Sequence, residues 1–227
     1  MRPAAPAHPF IATVPHVVEI ALIAEADLAF WRAKLEPAGL FPVGRDGRAV
    51  LILSATDLRW MGKRSQEFTL GLPVSDRPAA EAPAGLYLVH AFNSSRLLAF
   101  IERLFFQTPY FPAQIEARPG LPARMQVRAA GVVLFEAAMA APAEPVAVQT
   151  EAWQGTIYLP GGQRAFTAHL GGRTEIYPFS AADRLLATPA HPLFNWLAES
   201  GLVGREWRLR RDALHARSAT FRRPAGA

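Results

Sequence analysis

The sequence predicts an α+β fold, an antiparallel barrel or highly curved sheet with a few helices outside it. Three observations carry this expectation. Short apolar segments recur along most of the chain, separated by Gly, Pro and small polar residues, and roughly ten of them have strand composition. Glycine pairs stand at Gly161-Gly162 and Gly171-Gly172, where tight hairpins need a left-handed backbone. Only two or three stretches combine a helical apolar period with capping and stop residues, so strands dominate and helices are accessories.

In chain order, residues 1–15 are rich in Pro and Ala and read as an irregular arm. Residues 17–24 form an apolar strand, and 25–35 a helix whose Leu28, Trp31 and Leu35 recur at helical spacing before Pro37. Strands follow at 49–54 and 67–74, with an exposed Pro/Ala-rich loop at 77–84. Residues 85–92 are a strand, and Asn93 or Ser94 can cap a helix from Ser95 to about Phe106 that Pro109 stops. Three short strands at 114–117, 124–128 and 132–138 read as an antiparallel meander, and 141–145 is a break. Strands resume at 153–159, 164–170 and 174–179, with the glycine pairs as their turns. A helix at 192–200, closed by Gly201, precedes a basic terminal strand at 207–221. The expected organisation is an arm over 1–16 and one domain over 17–227.

Composition narrows the chemistry. With 227 residues, 51% of them hydrophobic, the chain can bury a large core. No cysteine is present, which excludes disulfides, thiolate catalysis and Cys-ligated metal sites. The longest apolar stretch is interrupted by His16 and Glu19, so no membrane span is expected and a cytoplasmic location is the default. Lys34 and Lys63 are the only lysines among 24 basic residues. Arginines cluster between Arg205 and Arg223, which reads as the solvated face of a terminal strand; nucleic-acid binding is not the expectation.

The run Arg103-Leu104-Phe105-Phe106-Gln107-Thr108-Pro109-Tyr110-Phe111-Pro112-Ala113 resembles a motif of the acetoacetate decarboxylase-like superfamily. Glu67-Phe68-Thr69-Leu70-Gly71-Leu72-Pro73-Val74, the Tyr87-Leu88 pair and Glu151-Ala152-Trp153-Gln154-Gly155 resemble further elements of it, in register over residues 17–160. In the decarboxylases the motif's proline is followed by two lysines, the first of which forms a Schiff base with the substrate ketone. Here Tyr110 and Phe111 stand instead, as in a bacterial branch that reads Leu-Pro-Tyr, and neither side chain forms an imine. The resemblance implies a cone-shaped barrel, commonly oligomeric, with a buried pocket for a small oxo acid.

Glu67 matches a family glutamate that lines the pocket, where burial would fit it for proton exchange; otherwise it pairs with Arg64 at a strand start. Tyr110 occupies the place of the lost lysine and either bonds a ligand carbonyl or carboxylate or packs as a core aromatic. Tyr87, Glu102, Arg103, Phe106 and Phe111 complete the expected ligand contacts, although Glu102 and Arg103 reverse the family's Arg-Glu order and also suit a surface ion pair. Phe105, Phe106, Tyr110 and Phe111 are expected to fill the seam between helix and barrel or line a pocket mouth. A Schiff base at Lys63 is the remaining imine option. The six histidines show no metal-binding spacing, His90 is expected to pack on one face with Leu88 and Phe92, and no glycine motif cradles a phosphate. No metal or cofactor is therefore expected.

Two functions fit these residues. One is a small-molecule-binding barrel with lyase-like or other acid–base activity on a small oxo acid or apolar carbonyl compound, without a Schiff base. The other is a non-catalytic ligand-binding or structural barrel, which would hold no close polar pair and no perturbed acid in its pocket.

Overall fold

The computed structural model describes residues 8–223 apart from Ala79 and Glu81. Its strands are β1 (Phe10–Asp27), β2 (Phe41–Pro42), β3 (Gly44–Arg45), β4 (Arg48–Trp60), β5 (Lys63–Ser75), β6 (Gly85–Asn93), β7 (Tyr110–Pro112), β8 (Gln114–Arg118), β9 (Arg124–Ala129), β10 (Val132–Ala138), β11 (Ala147–Tyr158), β12 (Arg164–Pro178), β13 (Arg184–Ala187), β14 (Val203–Ser218) and β15 (Phe221–Arg222). Three short helices, α1 (Leu28–Leu35), α2 (Arg96–Ile101) and α3 (Pro192–Glu199), accompany them. The expected α+β class is what the chain adopts.

Seven long strands close on themselves in the order β5-β4-β1-β14-β12-β11-β6 and back to β5. Every contact in this ring is antiparallel except β6 with β11, which pairs Thr156–Tyr158 in parallel with Gly85–Tyr87. The ring is therefore not a regular up-and-down barrel. A second, four-stranded sheet, β13-β10-β9-β8, contains the expected meander plus one strand that the sequence reading missed.

Alternation along the ring strands divides the apolar residues into two sets. Leu51, Leu53, Phe68, Leu70 and Leu72 face outward and pack with Met125, Val127 and Phe135 of the second sheet and Phe194 of α3, forming the main core. Phe68, Phe135 and Phe194 meet at ring-centroid distances of 5.1 to 6.1 Å. The alternate positions, among them Ile52, Ser54, Glu67 and Thr69, face into the ring and leave a space there.

Several boundaries differ from the expectation for identifiable reasons. The arm expected over 1–16 is a strand from Phe10 onward: Pro15 does not stop β1, because His16 takes a left-handed φ of 56° and a bulge between Val14 and Val17 absorbs the irregularity. Residues 1–7 of that arm lie outside the described residues. Residues 25–27 remain in β1, and α1 begins only after Asp27, whose carboxylate accepts from the Phe30 amide. Gly161-Gly162 turns β11 into β12 with φ of 85° and 69°, whereas Gly171-Gly172 does not turn the chain. It lies inside β12 at a register shift, where a Cβ on Gly172 would sit 3.2 Å from the Ala213 Cα of β14. No helix among the described residues is long and apolar enough to cross a membrane.

Candidate functional site

Inside the ring is a cavity of about 220 Å³. Its walls are mainly apolar, with Ile52, Leu58, Leu88, Leu98, Ile157 and Phe166 among them, and a few polar groups converge on it. Of the residues singled out from sequence, Glu67, Tyr110, Tyr87, Glu102 and Phe106 line this space.

Glu67 is brought there by the pleat of β5, and its neighbours come from pairing across two strands. The β5–β6 register sets Glu67 opposite Asn93, and β7 lies beside β6 with Tyr110 next to Ala91. The Tyr110 hydroxyl donates to Glu67 Oε2 at 2.8 Å, and Asn93 Nδ2 donates to Oε1 at 2.8 Å. Arg64, the alternative partner expected for Glu67, instead pairs with Asp57. Burial, with the nearby Glu102 carboxylate adding to it, pushes Glu67 up from 4.5 to about 7, against the lowering effect of Tyr110, His215 and Arg217. Burial and the Glu67 and Glu102 charges push the Tyr110 phenol well above 10, so it remains a donor.

Glu102 reaches the cavity because the helix after Ser94 is irregular. Ser95, not Asn93 or Ser94, is the cap, its hydroxyl accepting from the Leu98 amide. Asn93 Oδ1 in turn accepts from the Ser95 amide, so the residue that grips Glu67 also fixes the start of α2. From Glu102 to Phe106 the backbone widens to a π-turn, a form common at functional sites. Glu102 and Phe106 face inward while Leu104 and Phe105 are 55% and 68% exposed, so Phe105 does not fill the expected seam. Glu102 Oε2 accepts from Thr108 Oγ1 at 2.7 Å and from Arg217 Nη1 at 2.8 Å.

Arg103 and Phe111 lie outside the cavity. Phe111 follows Tyr110 on β7 and points to the opposite face, with the exposed Arg103 guanidinium 5.2 Å from its ring. Glu102 and Arg103 therefore do not form the surface pair considered for them. Lys63 is exposed at the β4–β5 hairpin, and Lys34 stacks over Phe30 and Trp196, so neither lysine lines the cavity. His90 packs against Phe92 as expected, but not with Leu88. A bulge opposite Leu70 and Gly71 separates it from Leu88, which lines the cavity, and His90 packs outside among Phe92, Phe111 and His191 with Nε2 lacking a hydrogen bond.

The sequence reading missed Asn93, Glu19, His215 and Arg217 as site residues. His215 and Arg217 belong to the terminal strand expected to be a solvated basic face; here the Arg217 guanidinium lies over the Phe106 and Phe166 rings at 4.4 and 4.1 Å. Arg205, Arg208, Arg210 and Arg211 each reach a carboxylate as well, so much of this strand's charge is neutralised within the fold. A usable signal existed for Glu19 alone, the single carboxylate within the apolar run 17–24.

Glu102 controls the neighbouring acid. Glu102→Gln removes a like charge from Glu67 and frees Arg217, two changes of the same sign, and is expected to bring the Glu67 titration down from about 7. Carboxyl carbon NMR against pH reads this directly; an unmoved or raised titration would contradict the charge arrangement.

No protein-family model matches the sequence, and no curated protein matches it. Solved structures do. Acetoacetate decarboxylase from Legionella pneumophila superposes with a TM-score of 0.64 at 12% identity, over 98% of this chain and 92% of that one. MppR, an enduracididine biosynthesis enzyme complexed with the condensation product of pyruvate and imidazole 4-carboxaldehyde, gives 0.58 at 11% identity over 97% and 92%. An acetoacetate decarboxylase-like enzyme from Sphingomonas wittichii gives 0.57 at 12% identity over 94% and 93%.

Proposed function

Because the chain has the acetoacetate decarboxylase-like fold, we propose that its ring encloses a site for a small oxo acid or apolar carbonyl compound, on which it acts by proton transfer without an imine. The observation that carries this reading is the Glu67–Tyr110 pair, a carboxyl titrating near neutrality and bonded to a phenol inside an apolar cavity. A carboxyl with a pKa close to ambient pH is present as both acid and base, the condition general acid–base catalysis requires.

Tyr110 and Asn93 each hold one oxygen of that carboxyl, which fixes its plane. When Glu67 is ionised, Tyr110 supplies the proton that stabilises it. When it is protonated, its own proton is available to a ligand oxygen. Arg217, with its guanidinium over two aromatic rings and bonded to Glu102, is the cation of the cavity wall, and a ligand carboxylate would share it with Glu102. A purely structural barrel needs none of these groups, and their convergence supports the catalytic reading over that alternative.

Gly71 gives a test that leaves every polar group in place. It lines the cavity, and a Cβ there would meet nothing nearer than the Tyr87 carbonyl oxygen at 3.5 Å, so its missing side chain keeps the space open. Small oxo acids and apolar carboxylates are screened by thermal shift against wild type, Gly71→Leu and Tyr110→Phe, and hits are tested for turnover. Gly71→Leu is expected to weaken binding at least about tenfold by filling the site. Tyr110→Phe is expected to weaken it by about tenfold or less, roughly the worth of one hydrogen bond, while raising the Glu67 titration further. A ligand bound equally by all three proteins does not occupy this cavity, and the proposed site would then be wrong.

A further inference from the structure

The cavity contains a second proton-handling group that the Glu67 reading does not use. Glu19, on the inner face of β1, is 6% exposed. Its Oε1 accepts from Ser54 Oγ at 2.9 Å, and its Oε2 contacts Arg210 Nη1 at 2.9 Å and His215 Nε2 at 3.3 Å. Burial alone would raise this acid, but His215 and Arg210 outweigh it and hold Glu19 down at about 2. Glu19 is therefore a fixed anion aimed at one imidazole nitrogen.

A fixed anion on Nε2 selects the tautomer that carries its proton there and leaves Nδ1 with a free lone pair. Nδ1 of His215 makes no hydrogen bond among the described residues. His215 lines the cavity with Glu67 and Tyr110, and no other histidine does. The charged groups around it are Glu19 from β1, Arg210 and Arg217 from its own strand β14, Glu67 from β5 and Glu102 from the π-turn. Glu67, His215 and Arg217 all line this one space.

We propose that His215, oriented by Glu19, is a second proton-transfer group of the cavity, and that His215 and Glu67 together interconvert the keto and enol forms of a bound oxo acid or ketone. The inference rests on the reading of the cavity as a carbonyl-compound site. In the forward step Nδ1 of His215 takes the proton from the carbon next to the carbonyl. The electron pair of that C–H bond becomes the new C=C π bond, and the C=O π pair moves onto oxygen, which takes the proton of the Glu67 carboxyl. The products are an enol, an imidazolium facing the Glu19 anion, and a Glu67 carboxylate held by Tyr110 and Asn93. The reverse step restores both groups. No oxidant, reductant or further reactant is consumed.

The test is hydrogen–deuterium exchange of the methyl protons of pyruvate and of acetone in D₂O, followed by proton NMR, with binding of each probe measured by thermal shift. Wild type is expected to bind a probe and accelerate its exchange. His215→Gln is expected to retain binding within a few-fold and to lose on the order of 10²–10⁴-fold in exchange rate. Glu19→Gln is expected to retain binding, lose less in exchange rate, and leave the His215 proton shared between Nδ1 and Nε2 in nitrogen NMR, because the anion that fixes it on Nε2 is gone. That loss of a single tautomer identifies Glu19 as a positioning residue, since a merely structural role would leave the tautomer unchanged.

Exchange by His215→Gln at the wild-type rate, or wild-type binding without exchange, overturns this inference and leaves the binding site standing. Failure of wild type to bind either probe overturns the reading of the cavity and this inference with it. If His215→Gln does not fold, nitrogen NMR of wild type decides: pyruvate is expected to shift the unprotonated Nδ1 signal of His215, and an unmoved signal overturns the proposal.

Discussion

Glu67→Gln is expected to lower turnover of any carbonyl ligand found for the cavity by on the order of 10²–10⁴-fold, since an amide neither gives nor takes the proton. The same variant has a stability signature of opposite benefit. Glu67 titrates at about 7 in the folded chain against an ordinary 4.5, so the fold prefers it protonated. Its contribution is fully present below pH 4.5 and is lost as pH rises through about 7, where the buried carboxylate must form. A displacement of that size corresponds to on the order of 3 kcal/mol. Glutamine mimics the protonated acid but offers one acceptor where Asn93 and Tyr110 both donate, which offsets the gain by about 1 kcal/mol. Thermal melts should therefore show the variant more stable than wild type at pH 8, with the advantage gone at pH 4. Equal melting temperatures at both pH values would mean that Glu67 is not held in the low-dielectric setting described.

Arg210→Met is expected to be strongly destabilising, by roughly 3 kcal/mol, because it leaves the buried Glu19 carboxylate with His215 as its sole remaining ion partner and takes from half-buried Glu151 one of its two arginines. Arg210 joins three strands: Nη1 meets Glu19 of β1 at 2.9 Å, Nη2 meets Glu151 of β11 at 2.6 Å and Nε donates to Thr174 of β12 at 2.8 Å. The loss should appear as a fall in melting temperature of roughly 10 °C at pH 7. The pH dependence gives an independent sign. Glu19, held at about 2, contributes stability that is complete above 4.5 and lost as pH falls toward 2. Arg210→Met should flatten that acid limb, and adding Glu19→Gln should recover part of the stability. A variant that melts like wild type would show that the network contributes nothing net.

What the sequence made legible follows from the range of the forces involved. Strands such as Gly85–Asn93 and the cap-and-stop logic around α2 depend on neighbours a few residues away, and their positions emerged within a few residues. Glu67 and Tyr110 were singled out through the motif resemblance, but their mutual bond depends on β5, β6 and β7 lying side by side, which local patterns do not encode. The π-turn that separates inward Glu102 from outward Arg103 is a one-residue departure from helical spacing and has no compositional mark. Arg205 and Arg211 of β14 are exposed as expected, but the enclosure of Arg210 and Arg217 is not legible for the same reason: a cation opposite a carboxylate from another strand has the same composition as one facing water. Gly171-Gly172 carries the signal of a turn, yet the close passage of β14 is what Gly172 accommodates.

The ring joins strands far apart in sequence, with Phe10 beside Ser218 and Glu25 beside Val203. β1 can pair with β4 as soon as both exist, but its other edge has no partner until β14, residues 203–218, has been made. Until then the ring is an open sheet with free edges at β1 and β12, whose inward Glu19 has no arginine and whose cavity has no wall on that side. Such a topology, rich in contacts between residues far apart in sequence, folds slowly and exposes a strand edge while it waits. The cavity is thus closed only once β14 is in place, and whatever protects the unpaired edges of β1 and β12 until then protects the cavity as well.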